Sequence, residues 1–347
     1  MSKSKAVEAT LVYCGIDVSA ATLAVALAEA GGSTEQRQFS NDARGHRALI
    51  GWLRKQSSSV RVSLEATGIY SLDLALALSR APGVELAVLN PKLVNRFAQT
   101  LRRSKTDAAD ALVLAEYSWR MPFAAWQPPA VEQLQLRAIC RQIAALTVEH
   151  TRTQNRLHAV RGTQVAPRCV VEDLKRAMAQ LDRRLKRLRG EARRLIEADE
   201  QLAKRFRLLL SMPGIGEVSA VQILGELALL AAHMTVRQWV AYSGLDPVQY
   251  ESGTSVHRSA HISRSGSRHL RRALYMPALV AARRDPYLRA FYEALQARRK
   301  CKLQALMAVA RKMLHAIYGI FRSGLPYDGK KLLPEIRLME IGNPLPS

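Results

Sequence analysis

The chain has 347 residues, 52 of them Lys or Arg and 29 Asp or Glu, a formal charge of +23. Hydrophobic residues make up 48%, enough to build packed cores, which excludes a disordered basic tail and fits two domains with connecting helices. A folded chain this basic meets a polyanion, with nucleic acid favoured over a membrane surface.

No apolar run reaches the roughly 18 residues a membrane-spanning helix needs. Met1 to Lys5 carry two lysines but lead into too mixed a stretch for a secretory signal, and Asp17 interrupts the apolar run from Leu11 to Ala30. A cytoplasmic protein is expected. The four cysteines, at 14, 140, 169 and 301, show no metal-ligand spacing and read as buried or incidental thiols. The eight histidines are scattered as well. Residues 1–129 carry a net +4, residues 130–206 a net +8 and residues 207–347 a net +11. The polyanion contact is therefore expected in the middle and C-terminal parts.

In chain order, Leu11 to Val18 and Thr22 to Ala28 read as two strands joined by a tight turn, and Thr34 to Phe39 as an edge-like third. Gly45 to Lys55 has helical spacing, with Leu49, Trp52 and Leu53 on one face. Val60 to Glu65 has the period of a strand. Thr67 is a plausible N-cap for a helix with Tyr70, Leu74 and Leu78 along one face, closed by Gly83. Val84 to Leu89 makes a fifth strand, and Pro91 opens the next helix. This order predicts a mixed sheet covered by helices and matches the ribonuclease-H-like class, an order other α/β folds share. Pro122 to Pro129 reads as a linker.

Beyond the linker the pattern is long and helical. Leu136, Ile139, Ile143, Leu146, His150, Thr153 and Leu157 recur at steps of three and four, and so do Leu174, Met178, Leu181, Leu185, Leu188, Ala192 and Leu195. Two coiled-coil helices joined across 162–168 pair either within one chain or between chains; a dimerisation role for the seam is expected over a plain spacer. The turn Pro213-Gly214-Ile215-Gly216 suits either a phosphate-holding helix–hairpin–helix or an ordinary interhelical turn. After Arg322 the tail reads as loosely held. The predicted divisions are a catalytic domain at 1–129, a coiled-coil assembly region at 130–206, a helical domain at 207–325 and a tail at 326–347.

Four acids stand out. Asp17 lies among apolar residues of the first strand, where an unpaired carboxylate is costly. Glu65 ends another strand. Asp107 and Asp110, at i and i+3, share one helix face and repel unless a cation offsets them, although a helix start also favours Asp. Singly, each has an ordinary structural explanation. Together they form a set of hard oxygen ligands suited to Mg²⁺ or Mn²⁺, of the kind that stabilises attacking and leaving oxygens at a phosphodiester.

Between Glu251 and Asp285 there is no acid, while Arg258, Arg264, Arg268, Arg271, Arg272, Arg283 and Arg284 lie in the interval. A solvated phosphate-binding face explains the arginines. The serine-rich loop could supply a nucleophile at phosphorus. Among Ser252, Ser255, Ser259, Ser263, Ser265 and Ser267 the residue types give no decisive ranking; the turn-forming Ser252-Gly253 pair adds a slight preference, and Tyr250 is a rival.

The motifs Tyr13-Cys14-Gly15-Ile16-Asp17-Val18-Ser19, Leu64-Glu65-Ala66-Thr67-Gly68 and Lys105-Thr106-Asp107-Ala108-Ala109-Asp110-Ala111 resemble those of the DEDD-type transposases of insertion sequences, the bridge-RNA-guided recombinases. Pro213-Gly214-Ile215-Gly216, Tyr242-Ser243-Gly244-Leu245, Glu251-Ser252-Gly253 and the block from Ser265 to Arg271 continue the resemblance, in order, across residues 10–320. It implies a resolvase-like, ribonuclease-H-like first domain whose Asp17, Glu65, Asp107 and Asp110 bind Mg²⁺, with Mn²⁺ as a possible substitute. Ser252 falls on the family's nucleophile, which forms a 5′-phosphoserine link to DNA. The resemblance also implies a structured non-coding guide RNA that pairs with donor and target double-stranded DNA. Homodimers would join as a homotetramer with chemistry shared across protomers, acting at the bacterial nucleoid. Arg258, Arg264, Arg268, Arg271 and Arg272 are the expected nucleic-acid contacts. A metal-dependent nuclease that uses water as attacker, and a non-catalytic architectural nucleic-acid-binding protein, are the competing expectations.

Overall fold

The structure, a computed structural model, describes residues 11–28, 34–66, 68, 70–101, 106–252 and 256–332, except for the side chains of 34, 249–252 and 256–260. By its internal contacts the chain divides into two units, residues 1–128 and 129–347.

The first unit is a mixed α/β sheet. Strands β1 (Val12–Val18), β2 (Thr22–Ala28), β3 (Thr34–Ser40), β4 (Val60–Glu65) and β5 (Val84–Leu89) lie in the order β3-β2-β1-β4-β5. The first three pair antiparallel, and β4 and β5 join parallel to β1. Cys14, Gly15 and Ile16 are consecutively buried, as expected of a central strand covered on both faces. Val12, Cys14, Ile16 and Val18 share a core with Leu49, Trp52 and Leu53 of α1 (Ala43–Gln56) and with Leu74 and Leu78 of α2 (Leu72–Ser79). Asp42 caps α1, its carboxylate accepting from the Gly45 amide at 2.7 Å. α3 (Pro91–Leu101) and α4 (Asp107–Arg120) complete the unit.

Two expectations change here. Ser71, not Thr67, occupies the N-cap of α2; Thr67 lies outside the described residues, and Tyr70 precedes the helix. The predicted linker is partly docked: the Trp126 amide donates to the Leu86 carbonyl at 2.6 Å, and its ring packs on the sheet core.

The second unit is mainly helical. α5 (Val131–Arg161) and α6 (Arg168–Ala198), each about 45 Å long, pair with one another as a hairpin. Leu181 is only 4% exposed and Leu185 is equally covered, so the predicted seam is closed within one chain. Of the two pairings the sequence leaves open, the structure has the one within a chain. His150 Nε2 and Asp182 Oδ1, 3.2 Å apart, bridge the two helices.

The near half of the hairpin shares one core with α7 (Glu200–Leu210), α8 (Glu217–Leu227), α9 (Val236–Ser243), α10 (Arg268–Arg284), α11 (Pro286–Ala297) and α12 (Lys302–Ser323). Residues 130–206 are thus part of the same compact unit as the helices that follow. Gly225 of α8 lies against Cys140 of α5, whose thiol burial pushes up to about 12. Gly214 has φ +92° and faces the backbone of Pro277 and Ala281, so this turn serves helix packing. The stretch after Arg322 is held in place as far as it is described: the Tyr327 amide donates to Ser211 Oγ at 2.9 Å, and Gly329 of α13 (Gly329–Leu332) packs on Tyr287. Among the described residues no helix is long and apolar enough to cross a membrane.

A methyl group at Gly15 would overlap the Ala111 carbonyl oxygen and the Ala115 amide nitrogen of α4. Gly15→Ala is therefore expected to destabilise the first unit by about 3 kcal/mol or more. Gly51→Ala, on the open side of α1, is expected to be neutral or stabilising by up to about 1 kcal/mol. Thermal melts of both variants check the contrast.

Candidate active site and nucleic-acid interface

The carboxylate end of the first unit is set by how α4 lies on the sheet. Gly15 and Ser63 are cross-strand partners, and both face α4: Gly15 meets Ala111, Leu114 and Ala115, and the Ser63 hydroxyl bonds that of Ser118. Beyond α4 the chain returns to the start of β4, where the Arg61 guanidinium sits 5.1 Å from the Phe123 ring centroid. α4 therefore runs back across β1 and β4, and its first turn lies toward their C-terminal ends. The last pair of that ladder is Ile16 with Leu64. Asp17 and Glu65 come one step later, side by side on neighbouring strands and on the face of Gly15 and Ser63 that meets α4. The climb from Gly15 to Asp17 along a strand and from Ala111 back to Asp107 along a helix are both about 6 Å.

Thr106 caps α4 through its side chain, which accepts from the Ala109 amide at 3.2 Å. Asp107 and Asp110 occupy the first turn, the former exposed and the latter half-buried. The fold thus brings the four predicted acids to one end of the sheet. It does not close them into a cage: among the described residues no three His, Cys, Asp or Glu side chains stand together as a group that could hold an ion. Asp17 and Glu65 each have a partner within the chain.

Ser252 is the last residue of β6 (Pro247–Ser252), opposite Val256 of β7 (Val256–Ile262), in an antiparallel pair with an irregularity between Val248 and Tyr250. The side chains of Ser252, Tyr250 and Arg258, and residues 253–255, lie outside what is described. The sequence reading treats this stretch as a polar loop, and the pairing is new information. The alternation of Val248, Tyr250 and Ser252 is its one sequence signal.

The base of this hairpin is tied across. The Ser263 amide donates to the Asp246 carbonyl at 2.9 Å, its hydroxyl to Asp246 Oδ1 at 2.5 Å, and the Arg264 amide to the Gly244 carbonyl at 3.1 Å. Gly244 takes φ +66° and packs on Gly266, which in turn leaves no room for a side chain against the Tyr242 carbonyl. Arg271 belongs to this structure: its Nη1 donates to the carbonyls of Ser243 at 2.8 Å and Gly266 at 3.1 Å. Its Nη1 thus clamps the backbone on both sides of the hairpin base. Arg264, Arg268 and Arg272 are exposed.

Beneath the clamp lies a residue that sequence reasoning missed. Glu226 of α8 is 2% exposed, yet its carboxylate accepts from Arg141 Nε at 2.8 Å and Nη2 at 3.2 Å, from Ser267 Oγ at 2.9 Å and from the Tyr242 hydroxyl at 3.3 Å. Burial pushes its pKa up, but the bonds and charge of Arg141, with Ser267 and His269, outweigh burial and hold it below the ordinary value. Arg137 also lies here, its own pKa pulled down by burial and by Arg141.

Comparison with known proteins decides the identity. A family model described as transposase, of the DEDD type of IS110, matches residues 14–160. A second, described as transposase of the IS116/IS110/IS902 family, matches residues 206–293; together they take in more than half of the chain. The chain belongs to the IS110/IS116/IS902 family of transposases. The transposase is 28% identical over 326 residues to the pilin gene-inverting protein of Moraxella bovis, covering 91% of this chain and 97% of that protein. The Moraxella lacunata pilin gene-inverting protein matches to the same extent. A protein of insertion element IS110 from Streptomyces coelicolor is 33% identical over 123 residues, 35% of this chain and 30% of that protein. The Asp17, Glu65, Asp107 and Asp110 positions lie inside the first matched segment, and Ser252 and Glu226 inside the second.

Two outcomes follow. A carboxyl whose folded pKa is depressed stabilises the fold above its unfolded pKa, and that stability is lost as pH falls through the folded value. The advantage of the transposase over Glu226→Gln in melting temperature should therefore be full at neutral pH and shrink below about pH 4.5. Second, Arg271→Ala should lower the melting temperature. Arg268→Ala should leave it unchanged and reduce the slope of log affinity against log salt by about 0.9 on duplex DNA.

Proposed function

We propose that the transposase is an RNA-guided DNA recombinase that cuts and rejoins strands through Ser252, assisted by divalent cations at Asp17, Glu65, Asp107 and Asp110. The observation that carries the reading is the placement of Asp17 beside Glu65 at the end of the sheet where α4 presents Asp107 and Asp110. The strand order β3-β2-β1-β4-β5, with three antiparallel strands and two parallel ones, supports a ribonuclease-H-like, resolvase-like unit.

Four carboxylates offer hard oxygen donors of the kind Mg²⁺ takes, with Mn²⁺ as a substitute. When bound, such an ion neutralises phosphate charge and polarises the bonds to phosphorus.

Ser252 Oγ attacks phosphorus, the bond to the 3′ oxygen breaks, and the 3′ hydroxyl departs with the proton. The resulting 5′-phosphoserine keeps the ester, so attack by another 3′ hydroxyl rejoins strands and releases the serine. In this reading, which follows the family resemblance, the carboxylates of one protomer act with the serine of another, in a homodimer that assembles to a homotetramer on donor and target DNA. A structured non-coding RNA of the element supplies sequence readout by pairing, leaving the protein to hold phosphates. Exposed Arg264, Arg268 and Arg272 suit that task, with Arg258 beside them in sequence. Inversion of a DNA segment, the activity named in the Moraxella relatives, is one outcome of the same exchange.

The test uses purified protein, Mg²⁺, the transcript of the element's flank and end-labelled donor and target duplexes. Wild type should yield protein-linked DNA and exchanged strands. Ser252→Ala and Asp17→Asn should lower both by at least about 10³-fold, and Asp17→Asn should retain RNA binding. Free nicks from Ser252→Ala would establish a water-using nuclease instead; shifted but intact DNA with wild type would leave only a binding protein.

A further inference from the structure

Glu226 sits where the two arms of the serine hairpin come together. Tyr242 lies five residues before β6 and Ser267 five residues after β7; both give their hydroxyl protons to the same carboxylate, and the Ser267 amide also donates to the Tyr242 carbonyl at 2.5 Å. A two-stranded hairpin is marginal by itself in water. Among the described residues β6 and β7 pair only with each other, and Ile262 packs on the main core. Strand pairing alone does not hold a reactive serine to the roughly 0.5 Å that catalysis demands. The polar base ties the two arms together.

We infer that Glu226 is a positioning residue for the reaction, a buried anionic latch that closes the base of the hairpin and so fixes where Ser252 is presented. The inference rests on the reading of Ser252 as nucleophile. The physical case lies in acceptor capacity. Arg141 brings two donors, and the hydroxyls of Tyr242 and Ser267 bring two more. An ionised carboxylate accepts all four, whereas a glutamine of the same shape has one acceptor oxygen and turns an amide toward donors. Replacement thus breaks the latch without changing the volume of the core. Ser267 also caps α10, accepting from the Leu270 amide at 3.2 Å, so the latch ties the hairpin to the helix that carries Arg268 and Arg272. Arg141 lies on α5, the first helix of the second unit, and ties the latch to the long hairpin.

The experiment compares wild type, Glu226→Gln, Tyr242→Phe and Ser252→Ala with end-labelled donor duplex, flank transcript and Mg²⁺, measuring single-turnover adduct formation at saturating DNA and DNA affinity separately. Native-state hydrogen exchange of the amides in 247–262 is followed alongside those of α8. Glu226→Gln should slow adduct formation about tenfold or more, with affinity within about twofold and faster exchange in 247–262 but not in α8. Tyr242→Phe, which loses one bond, should show a smaller effect in the same direction and serves if Glu226→Gln does not fold. An unchanged adduct rate in both folded variants overturns the latch. So does a loss of rate matched by an equal loss of affinity, or exchange that rises equally throughout the unit. An adduct formed by Ser252→Ala overturns the nucleophile reading itself, a result distinct from failure of the latch alone.

Discussion

The carbonyl of Ala111 occupies the space into which any side chain at position 15 would project. That close approach lets α4 lie directly on the central strand, and the hydroxyl pair Ser63–Ser118 and the Arg61–Phe123 contact fix the line along which it runs. Everything chemical in the first unit depends on this line. A helix displaced outward by one methyl group, or turned about its contact, would carry Asp107 and Asp110 away from the end of the sheet where Asp17 and Glu65 stand. The glycine thus positions the acids, although it has no side chain of its own.

The second unit solves its positioning problem by the opposite means. At the base of its hairpin the constraint is a charge taken out of water, accepting bonds from Arg141, Tyr242 and Ser267. Such a carboxylate is costly to bury and still more costly to leave half-satisfied. The four donors around Glu226 therefore behave as a set: once Arg141 is in place, the remaining lone pairs hold Tyr242 and Ser267 to one geometry. Gly244, Gly266 and Arg271 extend the same logic along the backbone. Two short motifs far apart in sequence, Tyr242-Ser243-Gly244-Leu245 and Ser265-Gly266-Ser267-Arg268, are two faces of one clamp.

How much of this was legible in the sequence depends on whether the signal is periodic or spatial. The five strands and α1 were legible because alternation and helical spacing place Cys14, Ile16, Leu49 and Leu53 without reference to anything distant. The start of α2 was not: Thr67 and Ser71 are both acceptable caps by type, and only the structure shows which one begins the helix. The heptad seam was legible, but its partner was not, since Leu181 is satisfied equally by a helix of its own chain or of another. Arg271 looked like its neighbours, because a guanidinium bound to carbonyls and one awaiting phosphate have the same sequence. Glu226 left no trace at all. It lies in the last turn of a largely buried helix, and its salt-bridge partner is 85 residues away.

The uncollected state of the four acids has a physical reason in the same fold. Asp107 and Asp110 lie at the capped start of α4, where exposed amides and the helix dipole favour negative charge. Asp17 and Glu65, adjacent at strand ends, each have a partner within the chain. None of the four therefore needs a cation for the first unit to fold, and the unit's near-neutral overall balance adds little long-range repulsion. The excess positive charge is concentrated beyond residue 129. The acids thus lie in a unit of near-neutral balance, and the excess of arginine and lysine lies in the other unit of the chain.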